Sequence, residues 1–190
     1  MLAATCLVPV AAFLVTACGS SGTGAAPTRT ITVTVTPSSP APSTSASSGT
    51  SQCATADLRL TVGRSNGAAG TVYYPLDFTN TSSSACTMYG YPGVAFVSSP
   101  GGNQVGAPAG RESSTVPALV TLVPGATAHA TLAVSDVLIS NNCMGHQVQV
   151  NWLQVYPPDQ SSALFAQLSR QGCAEQSLVT MHVNTVSSGP

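Results

Sequence analysis

The sequence predicts an all-β domain: an antiparallel two-sheet sandwich of immunoglobulin-like or Greek-key type, held by two disulfides. Three observations carry this expectation. Several short runs between residues 53 and 190 alternate apolar and polar side chains, the pattern of strands with one face buried and one wet. Gly, Pro and Asn punctuate those runs, as turns require. Four cysteines share the region, and an even count in an exported domain implies a disulfide framework.

The elements follow in order. Leu58, Leu60 and Val62 alternate with Asp57, Arg59 and Thr61. Val72, Tyr74, Leu76 and Phe78 alternate with Thr71, Tyr73, Pro75 and Asp77. Gly93–Ser98 and Ala118–Val123 are shorter apolar runs. Ala128, Ala130, Leu132 and Val134 form the cleanest period-two series, opposite Thr127, His129, Thr131 and Ala133. Val148, Val150 and Trp152 share one phase, so Trp152 is expected in the core beside Tyr74. Val179, Met181 and Val183 make the last strand, with His182 on its polar face. Asn66-Gly67, Pro100-Gly101-Gly102, Pro124-Gly125 and Pro157-Pro158 supply turns. Ser161–Arg170 is the one stretch that reads as a short helix.

Of six cysteines, four lie in the domain: Cys53, Cys86, Cys143 and Cys173. They allow three connectivities. Cys53–Cys86 and Cys143–Cys173 are the expected pairs, each tying the ends of a local block of strands. A closed loop of ~30 residues contributes roughly 3–4 kcal/mol in the chain-entropy picture. A zinc site is disfavoured because no C-x2-C spacing exists.

Residues 2–17 read as an uncharged apolar run ending in small side chains. The run is shorter than the roughly 20 residues of a spanning helix and suits a secretory signal. Val15-Thr16-Ala17-Cys18 resembles the bacterial lipobox, which implies cleavage between Ala17 and Cys18 and lipidation of the Cys18 sulfur. No Lys or Arg precedes the run, a departure from that pattern. Two or three acyl chains would anchor firmly, whereas one gives marginal binding. Residues 18–52 then read as a disordered Ser/Thr/Pro-rich tether, because such composition buries too little apolar surface to offset ordering entropy. Within it, Thr30–Thr36 alternates β-branched residues and reads as an extended stalk segment ended by Pro37. The predicted organisation is therefore a signal peptide at 1–17, a lipidated tether at 18–52 and a β-sandwich at 53–190.

Charge narrows the function. Five Lys+Arg stand against six Asp+Glu, charged residues are 6% of the chain, and lysine is absent. About 25% is ordinary. A nucleic-acid binder working through counterion release needs many cationic contacts, so no nucleic acid is expected as a partner.

Cys53, Asp57-Leu58, Ala68-Ala69-Gly70-Thr71-Val72-Tyr73, Phe78-Thr79-Asn80-Thr81, Cys86-Thr87-Met88-Tyr89-Gly90-Tyr91-Pro92-Gly93-Val94, Leu122–Ala128 and Cys143 form one recurring pattern. It is similar to a domain family common in actinobacterial secreted lipoproteins, mycobacterial ones included, known only as a domain of unknown function. The resemblance covers most of residues 53–190. It implies a secreted or lipoprotein setting and an all-β domain, and it brings no catalytic residues.

Chemistry-bearing residues are few. Gly63-Arg64-Ser65-Asn66-Gly67 matches the spacing of a nucleophile elbow, which needs a helix after the serine. A strand follows instead, and Asn66-Gly67 reads as a hairpin turn. A serine hydrolase using Ser65 is thus the weaker alternative. Met144, His146 and His182 offer soft thioether and imidazole suited to Cu(I). Adjacent strand residues such as Met181 and His182 point to opposite faces, so an envelope copper-binding protein is also an alternative only. His129 sits on a polar face and reads as solvated. Asn80-Thr81-Ser82 is a glycosylation sequon, discounted for a bacterial chain. Arg59, Arg64, Arg111 and Arg170 are the domain's guanidinium groups. Tyr89 and Tyr91, flanking Gly90, combine with Arg111 as the candidate binding residues, since loops on rigid sandwiches carry function. The expectation is a non-enzymatic domain without catalytic residues, metal or cofactor. It would sit on the extracytoplasmic face of the cell membrane and bind an envelope glycan, lipid or protein.

Overall fold

The computed structural model describes residues 50–138 and 143–189. The expected signal at 1–17, Ala17, Cys18, most of the expected tether and the Thr30–Thr36 segment lie outside the described residues. Strands β1 (Leu58–Val62), β2 (Asn66–Ala68), β3 (Thr71–Asn80), β4 (Cys86–Met88) and β5 (Gly93–Val97) come first. β6 (Gln104–Val105), β7 (Gly110–Arg111), β8 (Val120–Leu122) and β9 (Thr127–Ser135) follow. β10 (Gln147–Tyr156), β11 (Leu164–Cys173), β12 (Met181–Val183) and β13 (Ser187–Ser188) complete the series. Among the described residues no helix is long and apolar enough to cross a membrane.

The fold is all-β. One sheet runs β1-β3-β9-β12-β7, with β2 also on β3 and β13 also on β9. The second runs β11-β10-β5-β6, and β4 and β8 form a separate two-stranded ladder. Pairing is antiparallel except between β12 and β7. Central β9 keeps a strict alternation, burying Ala128, Ala130, Leu132 and Val134 and half-exposing the residues between. β3 sends in Leu76 and Phe78. Both meet Val94, Phe96, Val150, Leu153 and Val155 of the second sheet in one apolar cluster, which also takes Met88 and Leu122 of the ladder. The disulfides are Cys53–Cys86 and Cys143–Cys173. The first belongs to that main cluster, the second to a small satellite with Val137 and Leu178. Ser51 and Gln52, at the tether's end, lie against Thr87, with Thr87 N donating to Ser51 O at 2.9 Å.

Three local expectations are corrected. Ser161–Arg170 is not helical: Leu164–Cys173 is strand β11, pairing along β10 from Val155↔Leu164 to Gln147↔Cys173. Cross-strand hydrogen bonds to β10 outweigh the local helical preference. Trp152 is half-buried and outside the core. Pairing steps from Val150↔Arg170 to Trp152↔Gln167, so β11 carries one residue more than β10 across that gap. β10 changes its inward phase across the same gap, from Val150 to Leu153 and Val155, where it pairs with buried Phe96 and Val94 of β5. The first hairpin turns at Ala69-Gly70, not at Asn66-Gly67, which lies in β2. Ala69 (φ 49°) and Gly70 (φ 81°) are both left-handed, as a type I′ turn requires.

Arg170 ties the two sheets together. Its guanidinium donates to Tyr74 Oη and to Ser135 O, both at 3.3 Å, and lies 5.7 Å from the Tyr74 ring centre. This guanidinium is a structural clamp.

Candidate functional site

Tyr89, Tyr91 and Arg111 come together. With Gly90, Pro117 and Asp159 they line a cleft of about 290 Å³. Local structure explains each placement. Tyr89 leaves the end of β4, and Gly90 turns the chain with φ 101°, a conformation natural only to glycine. The Gly90 carbonyl is held by two donors, Val186 N and Thr185 Oγ1, each at 2.9 Å. That anchor fixes the arc carrying both tyrosines. Tyr91 Oη donates to Thr115 O at 3.2 Å, so the loop after β7 is tied to the ring. Arg111 ends β7, whose register on β12 sets Val183 opposite it. Its guanidinium stands 5.6 Å from the Tyr91 ring centre, a cation–π distance. Tyr89 remains 50% exposed, an open aromatic surface beside a cation.

Two members escaped the sequence reading. Asp159 comes from the β10–β11 connection, where it adopts φ 57° after Pro157-Pro158. Its Oδ2 accepts from Gln52 Nε2 at 3.3 Å. Pro117 comes from the loop after β7. A proline pair followed by aspartate signalled a turn, but nothing local said which face that turn would meet.

The other candidates fall elsewhere. Ser65 is exposed in the link between β1 and β2 and is followed by strand rather than helix. Met181 is buried and His182 exposed. His182 lines an outer-face cleft of about 280 Å³ with Tyr73 and Glu112, whereas Met144 is exposed on the link before β10. His146 is exposed on the same link. Glu175 has its carboxyl held below the usual range, first by the Ser177 N–H, then by the Ser177 hydroxyl, with a smaller effect from His146. His129 is not simply solvated: its Nδ1 meets Asp77 Oδ1 at 2.7 Å, and both side chains are about a quarter exposed. The register places Asp77 directly opposite His129, a pairing invisible to a reading of either strand alone. Asn80 is 1% exposed and fully hydrogen-bonded, so it is a structural residue in the folded chain.

A family model described as "Domain of unknown function (DUF4232)" matches residues 53–187. The chain belongs to that family. No curated protein and no solved structure matches it. The DUF4232 match begins at Cys53 and ends at Ser187, so it contains all four disulfide cysteines and the whole cleft.

Proposed function

We propose that the chain is a cell-envelope lipoprotein of the secreted, actinobacterial type, anchored through lipidated Cys18 on the extracytoplasmic face. Its DUF4232 domain acts as a non-enzymatic binding module, and the Tyr89–Tyr91–Arg111 cleft takes a glycan, lipid or protein partner. One observation carries the reading. Tyr89 and Tyr91 of one loop and Arg111 of β7, far apart in sequence, line a single cleft with an exposed aromatic ring and a cation. Such pairing of apolar body and polar tip is the common chemistry of recognition sites. The two disulfides support an oxidising compartment, and the Val15–Cys18 motif supports the anchor.

Two measurements test it. Mass spectrometry of the chain purified from membranes should find an acylated N-terminal Cys18, and Cys18→Ser should release the protein from the membrane; an unmodified start in membrane-extracted protein overturns the anchor. A panel of oligosaccharides, phospholipid vesicles and peptides should include members bound by the full chain, with binding weakened in Tyr89→Ala. Binding indifferent to Tyr89, or hydrolytic turnover lost in Ser65→Ala, overturns the binding-module reading.

A further inference from the structure

Resting on that reading of the cleft, we infer that its ligand is a sugar unit bearing a carboxylate, at the end of or within a glycan chain. The charges decide the class. Among the described residues the one ion pair is His129–Asp77, so Arg111 has no carboxylate partner there. Its guanidinium lies 5.6 Å from the centre of the Tyr91 ring, which is itself tethered through Tyr91 Oη to Thr115. No hydrogen bond occupies its N–H groups among the described residues, and a guanidinium fork matches the two oxygens of a carboxylate.

The rest of the cleft suits the body of a sugar. Asp159, from a different connection, spends Oδ2 on Gln52 and leaves Oδ1 without a protein donor among the described residues. A carboxylate on a cleft wall accepts hydroxyl hydrogens. Tyr89 offers an open ring to the apolar C–H face that a pyranose presents. A lipid tail would need a longer apolar slot than this cleft of about 290 Å³, which lies near the small end of the range of about 300–1,000 Å³ for ligand pockets.

The experiment titrates the full chain with three probes: tri-galacturonate, its methyl ester, and the neutral galactose trisaccharide. Calorimetry gives affinity, and NMR shifts of the Tyr89 and Tyr91 amides locate the site. Tri-galacturonate should bind at the tyrosines about tenfold or more tighter than the ester, the loss expected for one charge-assisted fork. Arg111→Gln should erase the difference between acid and ester, and Arg111→Lys should restore part of it. Tyr89→Ala should weaken all three probes. Circular dichroism should confirm that each variant folds. Equal affinity for acid and ester overturns the acidic-sugar assignment while leaving a glycan site in place. Shifts at Tyr89 and Tyr91 produced by a tripeptide or by phospholipid vesicles, with none from tri-galacturonate, also overturn it and leave the binding module standing. Silence of the cleft toward all of these probes overturns both.

Discussion

The side-chain amide of Asn80 donates to the backbone carbonyl of Leu122 at 3.0 Å, joining β3 to β8 across 42 residues. The same nitrogen reaches Ser84 O at 2.8 Å, while Oδ1 accepts from Ser82 N at 3.0 Å and Ser82 Oγ at 2.8 Å. Both ends of a buried amide are thus satisfied. Asn80→Ala strands the Leu122 carbonyl and frees the β3–β4 loop, and should cost roughly 2–4 kcal/mol. Urea unfolding at constant slope checks this. A loss below about 0.5 kcal/mol would mean that water replaces the amide without penalty.

Gly106 carries φ 69°, and a Cβ placed on it would overlap the carbonyl oxygen of Cys173. Gly106→Ala therefore meets backbone strain and a clash with an immovable atom together. We expect a loss of about 3 kcal/mol or more, with Cys173 displaced from the β10–β11 ladder. Thermal unfolding of the oxidised chain measures it, and an unchanged melting temperature would refute the close approach.

Ala69 holds a left-handed turn position without glycine. Asn tolerates that conformation better than Ala. Ala69→Asn should stabilise the chain by about 0.5 kcal/mol, and because Ala69 is exposed no packing term opposes the gain. A destabilised variant would mean that the turn is not of type I′.

The lowered Glu175 carboxyl gives a pH prediction of known sign. A carboxyl whose folded value lies below its unfolded value adds stability above the unfolded value. That contribution disappears as pH falls through the folded value. Glu175 is half-exposed and solvent screens its carboxyl, so the effect on unfolding is small and is best read at the residue. An NMR titration should find Glu175 below an ordinary glutamate. Ser177→Ala should move it part of the way back, since the Ser177 N–H remains. An ordinary value in the unmodified chain would contradict the Ser177 contacts.

Much of the fold was legible because a one-sided strand writes its burial into alternate residues. Ala128, Ala130, Leu132 and Val134 show this without exception. The disulfide pairs were legible for a related reason: each closes a local block. Tyr89, Tyr91 and Arg111 stood out by residue type in a chain poor in charge and aromatics. What escaped depends on partners distant in sequence. The phase of Trp152 is set by the β10–β5 register, the Asp77–His129 pair by the β3–β9 register. Asp159 enters the cleft through the meeting of two connections. The misplaced hairpin turn has another cause: β2 extends the pairing of β3 as far as Ala68↔Thr71, past the Asn-Gly signal.

The irregularity between Val150 and Trp152 also bears on the edge of the sheet. β11 is the outermost strand of its sheet, ten residues long, and an unbroken rim of that length invites a neighbouring molecule to add a strand. The surplus residue interrupts the rim and increases its local twist. Crowded copies of the chain would find no straight template there for fibril-like self-association.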